Sequence, residues 1–358
     1  MKIAVLLLAC WPLAVCAQEA TSGVELNGTI SGLAAYSHQL TEDPRDGSAV
    51  TGGIRVMLYP TWKISEHWSV SGAVEVHTRP YFYEEFASQG HGVRADILQA
   101  HLTYSRVREN RSLVIRVGEL SSAFGSFLLR YDDAVNPLID VPLSYGYYGK
   151  GVTEYGLAGA QVDATLAKLD MRAQFVNSSP ANPRSVFDHD QYGDWTAGAG
   201  YTIAQGFRVG VSAYRGPYLD RNSEFYFPGE APPRDLPATA YGFDAKWGYG
   251  PWTAYGEVQN FKYIYHRIPT FTENIGYGEL RRVLHPRWYV AARLSYFRSN
   301  EAPARQVYEA AVGYRPNRSQ LIKAGYEVQQ GPNIRGAQAN TFAIQFVTVM
   351  RPISIARD

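Results

Sequence analysis

The chain has 358 residues, with 34 Lys and Arg against 33 Asp and Glu. That balance excludes a polybasic nucleic-acid binder and an acidic solvating tail, so no nucleic acid is expected as a partner. Charged residues are 19% and aromatics 13%, too much apolar surface for a disordered chain. With 26 Tyr, 33 Gly and only 4 Met, and no mature apolar run of about twenty residues, the composition points to an all-β protein rather than a bundle of membrane helices.

Residues 1–17 read as a cleaved secretory signal: Met1-Lys2, an apolar stretch over 3–9, and Val15-Cys16-Ala17 as a small-residue cleavage site before Gln18. Both cysteines, Cys10 and Cys16, lie inside it. The mature chain is therefore expected to hold no disulfide and no thiolate chemistry. An exported chain without cysteine suits a bacterial envelope protein.

From there on, apolar and polar residues alternate with a period of two. Ile54, Val56, Leu58, Pro60 and Trp62 alternate with Arg55, Met57, Tyr59, Thr61 and Lys63. Trp288, Val290, Ala292 and Leu294 alternate with Tyr289, Ala291, Arg293 and Ser295. In chain order the pattern predicts sixteen strands, over 24–38, 53–64, 68–78, 93–105, 113–120, 153–166, 169–177, 195–203, 207–215, 239–247, 252–261, 275–284, 288–297, 306–315, 320–329 and 341–350.

Alternation of this kind fits any sheet with one apolar face. The connections discriminate. Short gaps, such as 65–67, 167–168, 204–206 and 285–287, take turns with long ones, such as 39–52, 79–92, 121–152 and 216–238. All long loops then fall at one end, the plan of a transmembrane antiparallel β-barrel with short periplasmic turns and long extracellular loops. An even strand number returns the chain to the end it started from and lets the first strand pair with the last, leaving no edge. Trp62, Trp68, Trp247, Trp252 and Trp288 all flank short turns. Indole prefers a membrane interface, where the ring is dry and its N–H is wet. The expected organisation is a signal over 1–17, a barrel over 18–350 and a C-terminal tail over 351–358.

The run Arg116-Val117-Gly118-Glu119-Leu120, then Ser122-Ala123-Phe124-Gly125 and Asn136-Pro137-Leu138, looks like the strand that enters a porin's inward-folding loop. On these residues and the whole-chain strand plan, the sequence resembles the bacterial sixteen-stranded outer-membrane porins, of the general or phosphate-selective type. The resemblance implies a water-filled channel for passive diffusion of small hydrophilic solutes or ions. It implies a place in the outer membrane of a Gram-negative bacterium, lipid around the barrel, a homotrimer and no cofactor. One departure is that porins usually end on an aromatic residue, whereas Arg351 to Asp358 follow the last predicted strand. Either a periplasmic tail or a shifted last strand would account for it.

The longest connection, 121–152, carries Phe124, Phe127, Leu128 and Leu129 and is expected to fold into the lumen as a constriction, with Arg130, Asp132, Asp133 and Asp140 as lining groups. Parity turns Arg55, Lys63, Arg116, Arg172, Arg208, Lys246, Arg293 and Lys323 inward. It does the same for Glu75, Asp244, Glu257, Glu309 and Glu327. The acids sit mid-barrel and most of the bases nearer the short turns, and the mixed signs predict weak net selection. There is no GxSxG, HExxH or P-loop, so no enzyme and no catalytic residue is expected. The alternative is a barrel enzyme or adhesion barrel with an occluded lumen. His101 with Ser71 and Glu75 is the set it would use. No metal is expected; the weak candidate is Asp188, Asp190 and Asp194, acid-rich but without the full loop pattern of a calcium site.

Overall fold

The computed structural model of the chain describes residues 22–38, 40, 48–87, 92–145, 152–153, 155–177, 193–219, 230–331 and 340–356. The signal segment, Asp188 and Asp190 lie outside them. The strands are β1 (Gly23–Ser37), β2 (Val50–Lys63), β3 (Trp68–Arg79), β4 (Gly92–Arg108), β5 (Arg111–Leu120), β6 (Leu157–Leu166), β7 (Leu169–Val176) and β8 (Asp194–Ala204). They continue with β9 (Phe207–Pro217), β10 (Pro237–Tyr249), β11 (Trp252–Tyr263), β12 (Phe271–His285), β13 (Trp288–Ser299), β14 (Arg305–Asn317), β15 (Gln320–Gln330), β16 (Asn340–Val349) and β17 (Ile353–Ala356).

Each strand pairs antiparallel with the next, and the first closes on the last. Thr29–Ser37 of β1 pair with the residues of β16, and Gly23–Leu26 pair with β17. Strands β16 and β17 therefore share one position around the barrel, giving sixteen positions. The break between them falls at Met350–Pro352, where the proline has no N–H to give the ladder. Met350 still donates to the Gly28 carbonyl at 2.8 Å. The chain beyond 350 is thus, as far as Ala356, the continuation of the last strand rather than a separate tail.

The period-two pattern sets the faces. Ile54, Val211, Val258, Leu294 and Ile344 stand on the outer surface and are exposed, while their neighbours Arg55, Gln259, Arg293 and Gln345 are buried inside. An apolar exterior over a polar interior inverts the plan of a soluble protein and matches a lipid solvent. Trp62, Trp68, Trp247 and Trp288 are exposed at the short-turn end, and rings from neighbouring strands pack beside them, Trp68 on Tyr104 and Trp288 on Tyr314. They form one interface girdle.

Among the described residues, two connections pack into the barrel as follows. Residues 121–156 join β5 to β6 and bury Phe124, Phe127, Leu138 and Val152 completely. The β3–β4 connection contributes Tyr81, Phe82, Tyr83 and Phe86, which pack with Leu33, Ala35, Ile139 and Ala343. The loop-length pattern predicts an ordinary outer loop here, whereas the aromatic run 81–86 packs inside.

Candidate pore and constriction site

The inward charges of the wall divide into those that hold the β5–β6 connection and those that stay exposed in the lumen. The loop begins at a glycine turn. Gly125 has φ +74°, and a Cβ there would overlap the Tyr145 hydroxyl. Arg172 of β7 donates to the carbonyls of Ala123 and Gly125 at 3.3 and 3.1 Å. Gln174 donates to the Ser121 carbonyl and accepts from the Ala123 N–H. Across the lumen, Glu257 of β11 accepts from the Ser126 N–H and from the Tyr145 hydroxyl. Arg130 then reaches β12, donating to Glu279 at 2.6 Å and to the Tyr277 hydroxyl at 3.0 Å. Its guanidinium lies 3.8 Å from the centre of the Tyr255 ring.

The second half of the loop crosses to the opposite wall. Arg55 donates to Glu75 at 2.5 Å and to Asp133 at 2.8 Å, and stacks over Tyr131. Tyr81 donates to the other oxygen of Asp133, while Tyr59 donates to Asp132 at 2.5 Å. Lys323, wholly buried, donates to the carbonyls of Asp133, Asn136 and Leu138. Glu309 accepts from the N–H groups of Ile139 and Asp140, and Arg293 bridges Glu309 to the Asp140 carbonyl. These contacts satisfy the backbone of an irregular segment inside the barrel, as a non-helical stretch in the lumen requires.

The residues expected to line open water are therefore distributed otherwise. Arg55, Glu75, Glu257, Arg293, Glu309 and Lys323 face inward as parity demands but are buried beneath the loop, and Arg130 and Asp133 are buried within it. Glu327 is buried too and accepts from Gln329. Arg116 pairs with Asp163, and Arg208 with Asp170 and Asp244. Lys63, Lys246, Arg281 and Arg315 face the lumen with no carboxylate partner among the described residues. Arg281 sits 4.6 Å from the centre of the Tyr289 ring. Arg281, Arg315, Asp163, Asp170 and Glu279 were absent from the sequence expectation, although the same alternation that selected Arg293 turns them inward.

Of the other sequence candidates, the Ser71, His101 and Glu75 set does not assemble, and the Asp188, Asp190 and Asp194 set lies mostly outside the described residues. Ser71 and His101 are opposite each other on β3 and β4, but His101 is bonded to Thr103 and Glu75 is held by Arg55. Asp194 is buried on the inner face of β8 against Gly216. No group of three or more metal-type ligands occurs among the described residues.

Two loop carboxyls respond oppositely to pH. Burial raises Asp133, but Arg55 and then Lys323 outweigh it and hold the group below its ordinary 3.8. Burial, then Glu327 and Glu309, push Asp140 well above 3.8. The contribution of Asp133 to docking is present above the unfolded value and lost as acid protonates it in place. For Asp140 the sign reverses: docking is favoured below 3.8 and weakened as rising pH ionises it beside Glu309 and Glu327. Open-channel noise is expected to rise towards alkaline pH in the native chain and to stay flat in Asp140→Asn. Equal slopes in recordings from pH 5 to pH 9 would remove Asp140 from the cause.

No protein-family model matches the chain, and no curated protein does either. Solved structures do. The anion-selective porin of Comamonas acidovorans superposes with a TM-score of 0.62 at 10% identity, covering 92% of this chain and 100% of its own. The outer membrane channel DcaP of Acinetobacter baumannii gives 0.59 at 13% identity, covering 92% and 98%. The outer membrane protein OmpT of Vibrio cholerae, with loop L8 deleted, gives 0.61 at 12% identity, covering 92% and 100%. The chain has the fold of the sixteen-stranded outer-membrane porins. Full-length coverage means that the porin fold accounts for the whole barrel, not for a few hairpins. At these identities the likeness is one of fold alone.

Proposed function

We propose that the protein is an outer-membrane channel through which small hydrophilic solutes or ions diffuse passively, with a preference for anions. One observation carries the reading: charged groups on the inner face of a closed barrel remain open to solvent. Arg116 and Asp163 keep 28% and 32% of their side-chain surface, and Arg208 and Asp170 keep 23% and 33%. Inside a closed barrel, that exposure is to lumenal water. The anion preference rests on the remainder after pairing. Asp163 is matched to Arg116, and Asp170 and Asp244 share Arg208, whereas Lys63, Lys246, Arg281 and Arg315 have no carboxylate partner among the described residues. A lumen with surplus cations raises the local anion concentration.

A solved form of the Vibrio cholerae OmpT is a trimer. The same assembly is proposed here, in the outer membrane of a Gram-negative envelope after removal of the signal segment.

The test is single-channel recording of the folded barrel in a planar bilayer under a salt gradient. Ohmic steps with a reversal potential on the anion side are expected. The Lys246→Gln, Arg281→Gln, Arg315→Gln variant is expected to move that potential towards the cation side, with conductance changed less than about twofold. A barrel folded by circular dichroism but silent in the bilayer would favour the occluded alternative.

A further inference from the structure

We propose that Gly200 and Gly210 are positioning residues of the pore: together they form a slot on the lumenal wall in which the Arg208 side chain lies flat, clear of the water column. The register brings residues far apart in sequence into one row. Asp170 of β7 is opposite Gly200 of β8, Gly200 is opposite Gly210 of β9, and Gly210 is opposite Asp244 of β10. The row reads acid, glycine, glycine, acid, and residues directly opposite share a face, here the lumenal one.

Arg208 starts two residues nearer the short turn than Gly210, and its opposite neighbour on β10 is Lys246. Like charges directly opposite repel. Arg208 folds away from Lys246 and lies over the glycines. Its Nε and Nη2 donate to the two oxygens of Asp170 at 2.8 and 2.5 Å, and its Nη1 donates to Asp244 at 2.7 Å. Lys246 turns instead towards the Tyr255 ring, 5.6 Å from its centre. One guanidinium thus spans four strands, β7 to β10, by lying along the wall.

The missing Cβ atoms make the space. A Cβ on Gly200 would overlap Nε, Cζ and Nη2 of Arg208. A Cβ on Gly210 would overlap the Asp244 carboxylate and stand 2.9 Å from Nη1 of Arg208. The backbone itself does not call for glycine, because both positions sit in the regular ladder and neither has a positive φ. Facing glycines inside two strands weaken a ladder, since they bring no side chain to pack and lose more chain entropy. What offsets that loss here is the bidentate, charge-assisted contact that the slot admits. Arg208 and Asp170 keep 23% and 33% of their side-chain surface, so the slot opens on lumenal water rather than on the inward loop. Pushed out of it, a guanidinium on a long stem would stand in that water as an obstacle. The part of the slot in conduction rests on the proposed function; its part in holding Arg208 does not.

The experiment is a double-mutant cycle between residues 200 and 208. It is read as single-channel conductance in a planar bilayer and as the temperature at which the folded barrel converts to its unfolded form on a gel. With Arg208 present, Gly200→Ala is expected to lower conductance by about twofold or more and to lower the conversion temperature, because Arg208 loses its acids. In an Arg208→Ala background the same substitution should leave conductance unchanged and raise the temperature, as alanine does for an ordinary strand glycine. Gly210→Ala should repeat both results. Gly278→Ala, on the outer face of β12 with open space at its Cβ, should leave conductance unchanged in both backgrounds. Equal temperature effects of Gly200→Ala in the two backgrounds would overturn the slot, since a role in the strand alone acts without Arg208. Native-like conductance of Gly200→Ala in a barrel that conducts would overturn its part in the pore. A silent native barrel would refute the channel reading instead, and the temperature cycle would still decide the slot.

Discussion

Replacing Lys323 with Met is expected to raise single-channel conductance, increase open-channel noise and render the inward β5–β6 loop sensitive to protease. Lys323 has no solvent exposure, and its ammonium donates to three loop carbonyls at 2.8, 3.0 and 2.8 Å. An ammonium has three protons and no acceptor, so this cradle uses it fully. Methionine keeps the length and removes every donor. Three buried carbonyls would lose their partner, each at a cost of about 1–3 kcal/mol. Even the low end of that range, about 3 kcal/mol in all, shifts the docked-to-released ratio roughly 100-fold. The segment 132–140 should then leave the wall while the barrel, held by its ladders, remains. Native-like conductance together with native-like protease resistance would show that the loop stays docked without the ammonium.

Arg55→Leu is expected to produce the larger loss of stability. Arg55 is 1% exposed and answers two buried carboxylates, Glu75 from its own wall and Asp133 from the loop. Its guanidinium also packs against the rings of Tyr131 and Phe82, at 4.4 and 5.1 Å from their centres. Removing one side of a buried ionic cluster strands the charges left behind, at a cost of about 3–5 kcal/mol. Because Tyr81 and the Asp133 carboxylate are joined, both inward connections should loosen together. The readout is the temperature at which the folded barrel converts to its slowly migrating unfolded form on a gel. Adding Glu75→Gln and Asp133→Asn to Arg55→Leu should recover part of the loss, since neutral amides are cheaper to bury. No recovery would mean that the guanidinium acts through its aromatic stacking instead.

Much of this molecule was legible without coordinates, for a plain reason. A side-chain period of two is enforced by the strand itself, so the parity of Arg55, Arg293 and Lys323 follows from local sequence. Loop lengths told one end of the barrel from the other, and clustered tryptophans marked the inner interface. The same local rule also turns Arg281, Arg315, Asp163 and Asp170 inward.

What parity does not carry is what an inward side chain meets. Lys323 meets carbonyls from residues 133 to 138, and Arg130 meets Glu279, nearly 150 residues on. Such pairs exist only once sixteen strands have closed and two connections have turned inside. Closure decides which charges are consumed in holding the loop and which remain in water. The sequence by itself determined the strands, their faces and the end at which the loops gather, because those depend on neighbours along the chain. Only the tertiary structure decided that the mid-lumen charges serve as clamps and that the last strand continues to Ala356, because those depend on groups brought together from opposite walls.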